Sequence, residues 1–165
     1  VPWIPEDMAS ASIGQSVVQI TPLQLARAYA VFANGGWLVT PHLASGGVDW
    51  MSPERRRRVD LKPSTLQTIR EGLRKVVSSG TGFGLNGPGI PPAAGKTGTA
   101  EDSTGGPDHA WFGSYAPYPD GEIVVVAFAQ NTPGGGSVHA LPMAKKILAR
   151  WQSLRTVRPP SEPAG

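Results

Sequence analysis

The sequence predicts an α+β fold, and three observations carry that reading. Two segments in the first half space their apolar residues as helices do. Three short stretches between residues 94 and 129 have strand character and are joined by brief connections. A last apolar stripe at helical spacing follows, from Leu141 to Trp151. Helices grouped before and after a run of adjacent strands make an α+β layout, not an alternating one. Short connections favour antiparallel neighbours. Three strands make a thin sheet, so further strands are expected upstream.

The first helix is predicted to follow Ile20. Thr21 is an N-cap, Pro22 suits the first helical position, and Gln24 completes a capping box. Leu23, Ala26, Ala30 and Ala33 share one face, with Leu25, Tyr29 and Phe32 beside it. Asn34-Gly35-Gly36 stops the helix through a left-handed C-cap. Residues 37–62 read as irregular. Within them the run Arg55 to Arg58 reads as a solvated basic surface, with a phosphate or anionic-lipid patch as the alternative. A second helix is predicted near Ser64, with Gln67 at its capping-box position and Leu66, Ile69, Leu73, Val76 and Val77 on its buried stripe. Ser79-Gly80-Thr81-Gly82 ends it.

Strands are predicted at Ala94 to Glu101, Ala110 to Ala116 and Glu122 to Ala129, the last two joined by the turn Tyr118-Pro119-Asp120-Gly121. The Val-Val-Val-Ala-Phe-Ala run suggests burial of the third strand on both faces. Gly134 to Gly136 then leads to the final helix, whose apolar side is Leu141, Ala144, Ile147, Leu148 and Trp151.

Composition excludes several functions. The 165 residues contain no cysteine, which rules out a thiol nucleophile, a disulfide framework and Cys-ligated zinc. His42, His109 and His139 are far apart and form no metal spacing, so no metal or cofactor is implied. A net charge of +3, scattered along the chain, does not argue for nucleic acid. No stretch is apolar for the roughly 18 residues that a membrane span needs. The tail from Arg158 to Gly165 is expected to be disordered.

The motif that carries chemistry is Gly95-Lys96-Thr97-Gly98-Thr99. A phosphate loop would need G-x-x-x-x-G-K-[ST], but Ile90 stands where the first glycine belongs. Pro91 and Pro92 lack the N–H groups such a loop uses to hold phosphate. The second reading is the Lys-Thr-Gly strand of penicillin-recognising serine acyltransferases. There the Lys96 ammonium would face a substrate carboxylate, and a hydroxyl of Thr97 or Thr99 would hydrogen-bond it. Gly98 would let a peptide lie against the strand edge, and the Thr99 N–H would point at a developing oxyanion. On these five residues alone, an ordinary Lys/Thr strand beside a glycine bulge stays open.

The surrounding motifs narrow the choice. Ala11-Ser12-Ile13-Gly14-Gln15 followed by Thr21-Pro22-Leu23-Gln24-Leu25-Ala26 is similar to the IGQG…TPLQLA segment of class B penicillin-binding proteins. Asn34-Gly35-Gly36 with Pro41, the Gly80-Thr81-Gly82 turn, the run from Gly95 to Glu101 and the run from Ala110 to Pro117 follow in that family's order. The resemblance runs from about Ala9 to Trp151, with most likeness to the elongation type, the penicillin-binding protein 2 group.

It implies the C-terminal part of a transpeptidase domain, with a serine β-lactamase-like fold, over residues 1–157. It also implies a peptidoglycan D,D-transpeptidase on the periplasmic face of the cytoplasmic membrane. Such an enzyme acylates a serine with a stem peptide ending in D-Ala-D-Ala and passes the acyl group to an amine of a second stem. β-Lactam antibiotics would bind, and a membrane glycosyltransferase of the elongation complex would be a partner. A serine β-lactamase or a non-catalytic penicillin-binding sensor are the alternatives. On this reading Lys96 and Thr99 are catalytic, and Lys96, Thr97, Gly98 and Thr99 bind substrate.

Two departures stand out. Ser16 replaces a glycine common in the family, and no serine has lysine three residues on or asparagine two residues on. The family's S-x-x-K and S-x-N motifs are therefore expected upstream of Val1. Asp108 and His109 are expected at a loop and strand entry, His139 as a capping or surface residue, and Trp111 and Phe112 in the core or cleft wall.

Overall fold

The computed structural model describes residues 4–15, 18–43, 49, 52, 55–102 and 104–157. The departure at Ser16 and the expected tail from Arg158 fall outside them. The chain opens with a short helix, α1 (Pro5–Ser12), and continues with α2 (Pro22–Ala33). Two short strands, β1 (Trp37–Val39) and β2 (Arg56–Arg58), precede α3 (Pro63–Ser79) and a 3-10 turn at Phe83–Leu85. Then come β3 (Ala94–Ala100), β4 (His109–Ala116), β5 (Ile123–Ala129), the one-turn α4 (Gly135–Val138) and α5 (Ala140–Val157). The main sheet has the order β3-β4-β5 and is antiparallel throughout. The α+β expectation and the three adjacent strands hold.

Capping fixes where α2 begins. Gln24 N–H donates to Thr21 Oγ1 at 3.2 Å, and Thr21 N–H donates to Gln24 Oε1 at 2.8 Å. At the other end Gly35 adopts a φ of 78°, and the Gly36 N–H returns to Val31 C=O at 2.7 Å. That left-handed step is open to glycine at little cost.

Each face of the sheet is covered by a helix. Side chains alternate along a strand. Phe112, Ala116, Val125 and Ala127 therefore meet Leu141, Ala144 and Leu148 of α5 in one core. Tyr115 and Ala94 meet Tyr29 and Ala33 of α2 in the other, with Val124 packed against them. The third strand is thus covered on both sides, although only Val125 and Ala127 in it are fully buried.

Several expectations are corrected. The buried side of α2 runs through Leu25, Tyr29 and Ala33, while Leu23 is exposed. The second helix starts one residue before Ser64: Lys62 is its N-cap, without a side-chain hydrogen bond, and Pro63 is its first residue. Gln67 donates to Glu71, not back to a cap. Of the expected α3 stripe only Val77 is fully buried, and Ile147 of α5 is exposed.

Residues 37–62 are not wholly irregular, because Trp37–Val39 pairs antiparallel with Arg56–Arg58. The arginine run is therefore partly a strand. The Arg56 and Arg58 guanidiniums lie 4.5 and 5.4 Å from the Trp37 ring centroid, a cation–π arrangement. The helix α1 and the 3-10 turn had no counterpart in the sequence reading.

Candidate active site

The Lys-Thr-Gly residues sit on β3, at one edge of the sheet, with only β4 beside it among the described residues. The register pairs Lys96 with Gly113, Thr97 with Phe112, Gly98 with Trp111 and Thr99 with Ala110. Lys96 and Gly98 therefore share the α2 face with Ala94, and Thr97 and Thr99 lie on the α5 face. Lys96 is exposed, and its Nζ donates to the Thr97 C=O at 2.7 Å. Its ammonium is thereby held along the strand edge.

The half-buried Thr97 hydroxyl lies 2.8 Å from the Thr81 hydroxyl. Thr81 comes from the turn that ends α3. That turn is set by Gly80 and Gly82, whose N–H groups both donate to Val76 C=O, at 3.1 and 3.0 Å.

The free edge has a second occupant. Gln15 Nε2 donates to Thr99 C=O, and Glu101 N–H donates to Gln15 Oε1, each at 3.4 Å. A strand residue turns its N–H and C=O to the same side. The Thr99 C=O points away from β4, so the Thr99 N–H does too. The side-chain amide of Gln15 thus occupies one peptide-sized slot of the edge, and the slot formed by Thr97 C=O and Thr99 N–H is the next one along.

Close backbone approaches support the strand from behind. A Cβ on Gly136 would lie 2.2 Å from Trp111 O and 2.6 Å from Gly98 O, so α4 packs its backbone directly onto β3 and β4. A Cβ on Gly95 would lie 2.5 Å from Gly113 O. At Gly98 the nearest atom would be Trp111 Cβ, at 3.3 Å. Gly95 and Gly136 are therefore more strictly required by packing than Gly98.

The other candidates serve the sheet end. His109 opens β4, accepts the Asn131 N–H at Nδ1 (3.1 Å) and meets the Phe128 ring edge-on at 5.7 Å. Asp108 C=O accepts the Thr132 N–H at 2.8 Å. Nearby, Asp102 accepts hydrogen bonds from the backbone and hydroxyl of Thr104, which hold its carboxyl below the usual range. His139 Nε2 lies 2.7 Å from Pro133 C=O, beside the end of α4. Phe112 is fully buried, while Trp111 is half-buried, its ring 4.4 Å from that of Phe128. Among the described residues no group of His, Asp and Glu is placed to hold a metal.

The sequence reading assigned no chemistry to Gln15, Thr81, Gly95 or Gly136. Their signals in the sequence were the IGQ segment for Gln15, the glycine turn ahead of the strand for Thr81, the Gly95–Thr99 motif itself for Gly95 and the Gly134–Gly136 run for Gly136.

An edge strand bearing Lys-Thr-Gly-Thr, with a glycine turn beside it and helices on both faces of the sheet, agrees with the layout that the resemblance to the penicillin-binding protein transpeptidase family implies. The chain belongs to that family: residues 2–149 match the penicillin binding protein transpeptidase domain. Among curated relatives it is similar to the peptidoglycan D,D-transpeptidase MrdA of Haemophilus influenzae, with 33% identity over 93% of this chain and 27% of the relative. MrdA of Acinetobacter baumannii is similar too, with 32% identity over 95% of this chain and 26% of the relative. The chain thus spans about a quarter of the length of these relatives.

Solved structures agree. Pseudomonas aeruginosa PBP2 in complex with WCK 5153 superposes with a TM-score of 0.74 at 30% identity, over 90% of this chain and 33% of that one. A chain from a peptidoglycan synthase complex that coordinates polymerization and crosslinking gives 0.72 at 40% identity, over 98% and 28%.

Proposed function

We propose that Lys96–Thr99 is the substrate-recognising strand of a peptidoglycan D,D-transpeptidase, and that the serine nucleophile and its base are supplied from outside these 165 residues. One observation carries this reading: an exposed lysine lies on a free strand edge, with an outward-facing backbone N–H three residues on, in a chain of this family. The missing S-x-x-K pattern and the quarter-length span of the relatives support the second half.

In this account the terminal carboxylate of a D-Ala-D-Ala stem lies along β3. Lys96 supplies fixed charge, and the hydroxyls of Thr97 and Thr99 supply hydrogen bonds. The serine oxygen attacks the carbonyl carbon of the penultimate D-Ala, and the Thr99 N–H stabilises the oxygen that becomes negative. The terminal D-Ala leaves as an amine, and an amine of a second stem then takes the acyl group from the serine. A β-lactam presents a carboxylate and a reactive carbonyl to the same edge. The reading extends to the periplasmic face of the cytoplasmic membrane and to a membrane glycosyltransferase as partner. The likeness to a chain from a peptidoglycan synthase complex supports that partner. No helix among the described residues is long and apolar enough to cross a membrane.

The test is to label the longer protein that contains these residues with a fluorescent penicillin and to map the acylated residue. The label is expected on a serine outside residues 1–165. A label on a serine within them would overturn the proposal.

A further inference from the structure

We infer that Thr81 is a positioning residue for carboxylate recognition: its hydroxyl sets the direction in which the Thr97 hydroxyl donates. The inference rests on the reading of β3 as the carboxylate-recognising strand. A hydroxyl has one proton to give and two lone pairs to accept with. The oxygens of Thr81 and Thr97 are 2.8 Å apart, so one donates to the other. If Thr97 gave its proton to Thr81, it would have none for an anion. If Thr81 donates, Thr97 accepts and its own proton is free to point at a carboxylate oxygen. An anion beside the strand selects the second arrangement, since it repels the lone pairs and attracts the proton. The chain Thr81 O–H to Thr97 O–H to carboxylate is then polarised in one sense, which strengthens its last link.

The backbone is arranged to hold this pair. Gly80 and Gly82 flank Thr81, and both N–H groups converge on the Val76 carbonyl at the end of α3. Gly82 is buried, and a Cβ there would lie 3.2 Å from Val76 O. The turn is thereby fixed against the helix, and Thr81 is the one side chain it presents between two glycines. Thr81 itself is exposed, so its hydroxyl is not needed to fill a core.

The test uses the longer transpeptidase that contains these residues, with Thr81→Val, Thr81→Ser, Thr97→Val and the Thr81→Val/Thr97→Val double variant. Second-order acylation rates are measured with benzylpenicillin and with its methyl ester, beside a thermal melt. Thr81→Val is expected to lower the benzylpenicillin rate roughly three- to tenfold, the scale of one neutral hydrogen bond. The ester rate and the melting temperature should stay at wild type. Thr81→Ser should restore the rate, and the double variant should be no slower than Thr97→Val alone. If Thr97→Val is slowed while Thr81→Val matches wild type, the inference is wrong and the strand reading stands. Equal losses with acid and ester would make Thr81 a merely structural tie, which also overturns it. If Thr97→Val and Lys96→Ala both acylate at the wild-type rate, the strand reading falls and this inference falls with it.

Discussion

Tyr29 and Gly113 show how tightly single positions are set behind the site. A Cβ on Gly113 would lie 2.5 Å from the Tyr29 ring, and Gly113 is the cross-strand partner of Lys96. Gly113→Ala must push the helix away from the sheet, at a cost of about 1–3 kcal/mol for overpacking. A denaturant titration of the two proteins checks this. The Tyr29 phenol is pushed up to about 12 by burial. Its folded-state value is above the unfolded one, so its contribution is fully present below pH 10 and is lost as pH rises toward 12. Over that window stability should fall by about 1.4 kcal/mol per pH unit from this group. Tyr29→Phe should remove that part of the slope in alkaline melts, and an unchanged slope would show that the phenol is not desolvated as described. Neither requirement was legible in the sequence. Gly113 reads as one small residue in a strand, and only the register brings it under a particular ring.

At the scale of elements, legibility follows how local the determining interaction is. The capping box of α2 lies within four residues, Thr21 to Gln24, and was read correctly. The β3–β5 strands were placed to within one residue at each end: β4 is closed by Pro117, β5 is an apolar run opened by the Tyr118–Gly121 turn, and β3 is a small-residue stretch that follows Pro91-Pro92. The pairing of Trp37–Val39 with Arg56–Arg58 spans a long connection and was missed. A three-residue strand carries too few alternations to show, and the arginine run, read as surface, is indeed exposed at Arg57 and Arg58 while also pairing with β1. Helix α1 buries no residue, so it has no apolar stripe to find. At α3 the proline at the first helical position took the start from Ser64.

The one-turn α4 read as a loop, yet it gives the most direct element-level test. Gly136→Ala places a methyl against the backbone of β3 and β4 and should lift α4 off the strand. The expected loss is about 1–3 kcal/mol of stability, with slower acylation in the longer protein. A wild-type melt for Gly136→Ala would show that α4 does not brace the strand.

Across the whole molecule, large apolar side chains remain exposed on several elements, α1 and α5 among them. Ile4 and Met8 are exposed on and beside α1, and Met143, Ile147 and Leu154 on α5. Met143, Ile147 and Leu154 fall on one side of α5 by helical spacing, and an exposed apolar stripe of that kind marks a contact site. The isolated 165-residue polypeptide is therefore expected to bind a hydrophobic dye and to melt broadly. A sharp melt without dye binding would show that this surface needs no cover. Lys96 stands exposed on the β3 edge, so truncating it costs folding little. The most direct measurement is the second-order rate of β-lactam acylation for Lys96→Ala in the longer transpeptidase, beside a thermal melt. The rate is expected to fall roughly 30- to 1,000-fold, the loss of one charge-assisted contact in the transition state, with stability changed by about 0.5 kcal/mol or less. Acylation at the wild-type rate, or a loss that merely tracks the amount of folded protein, would contradict that expectation.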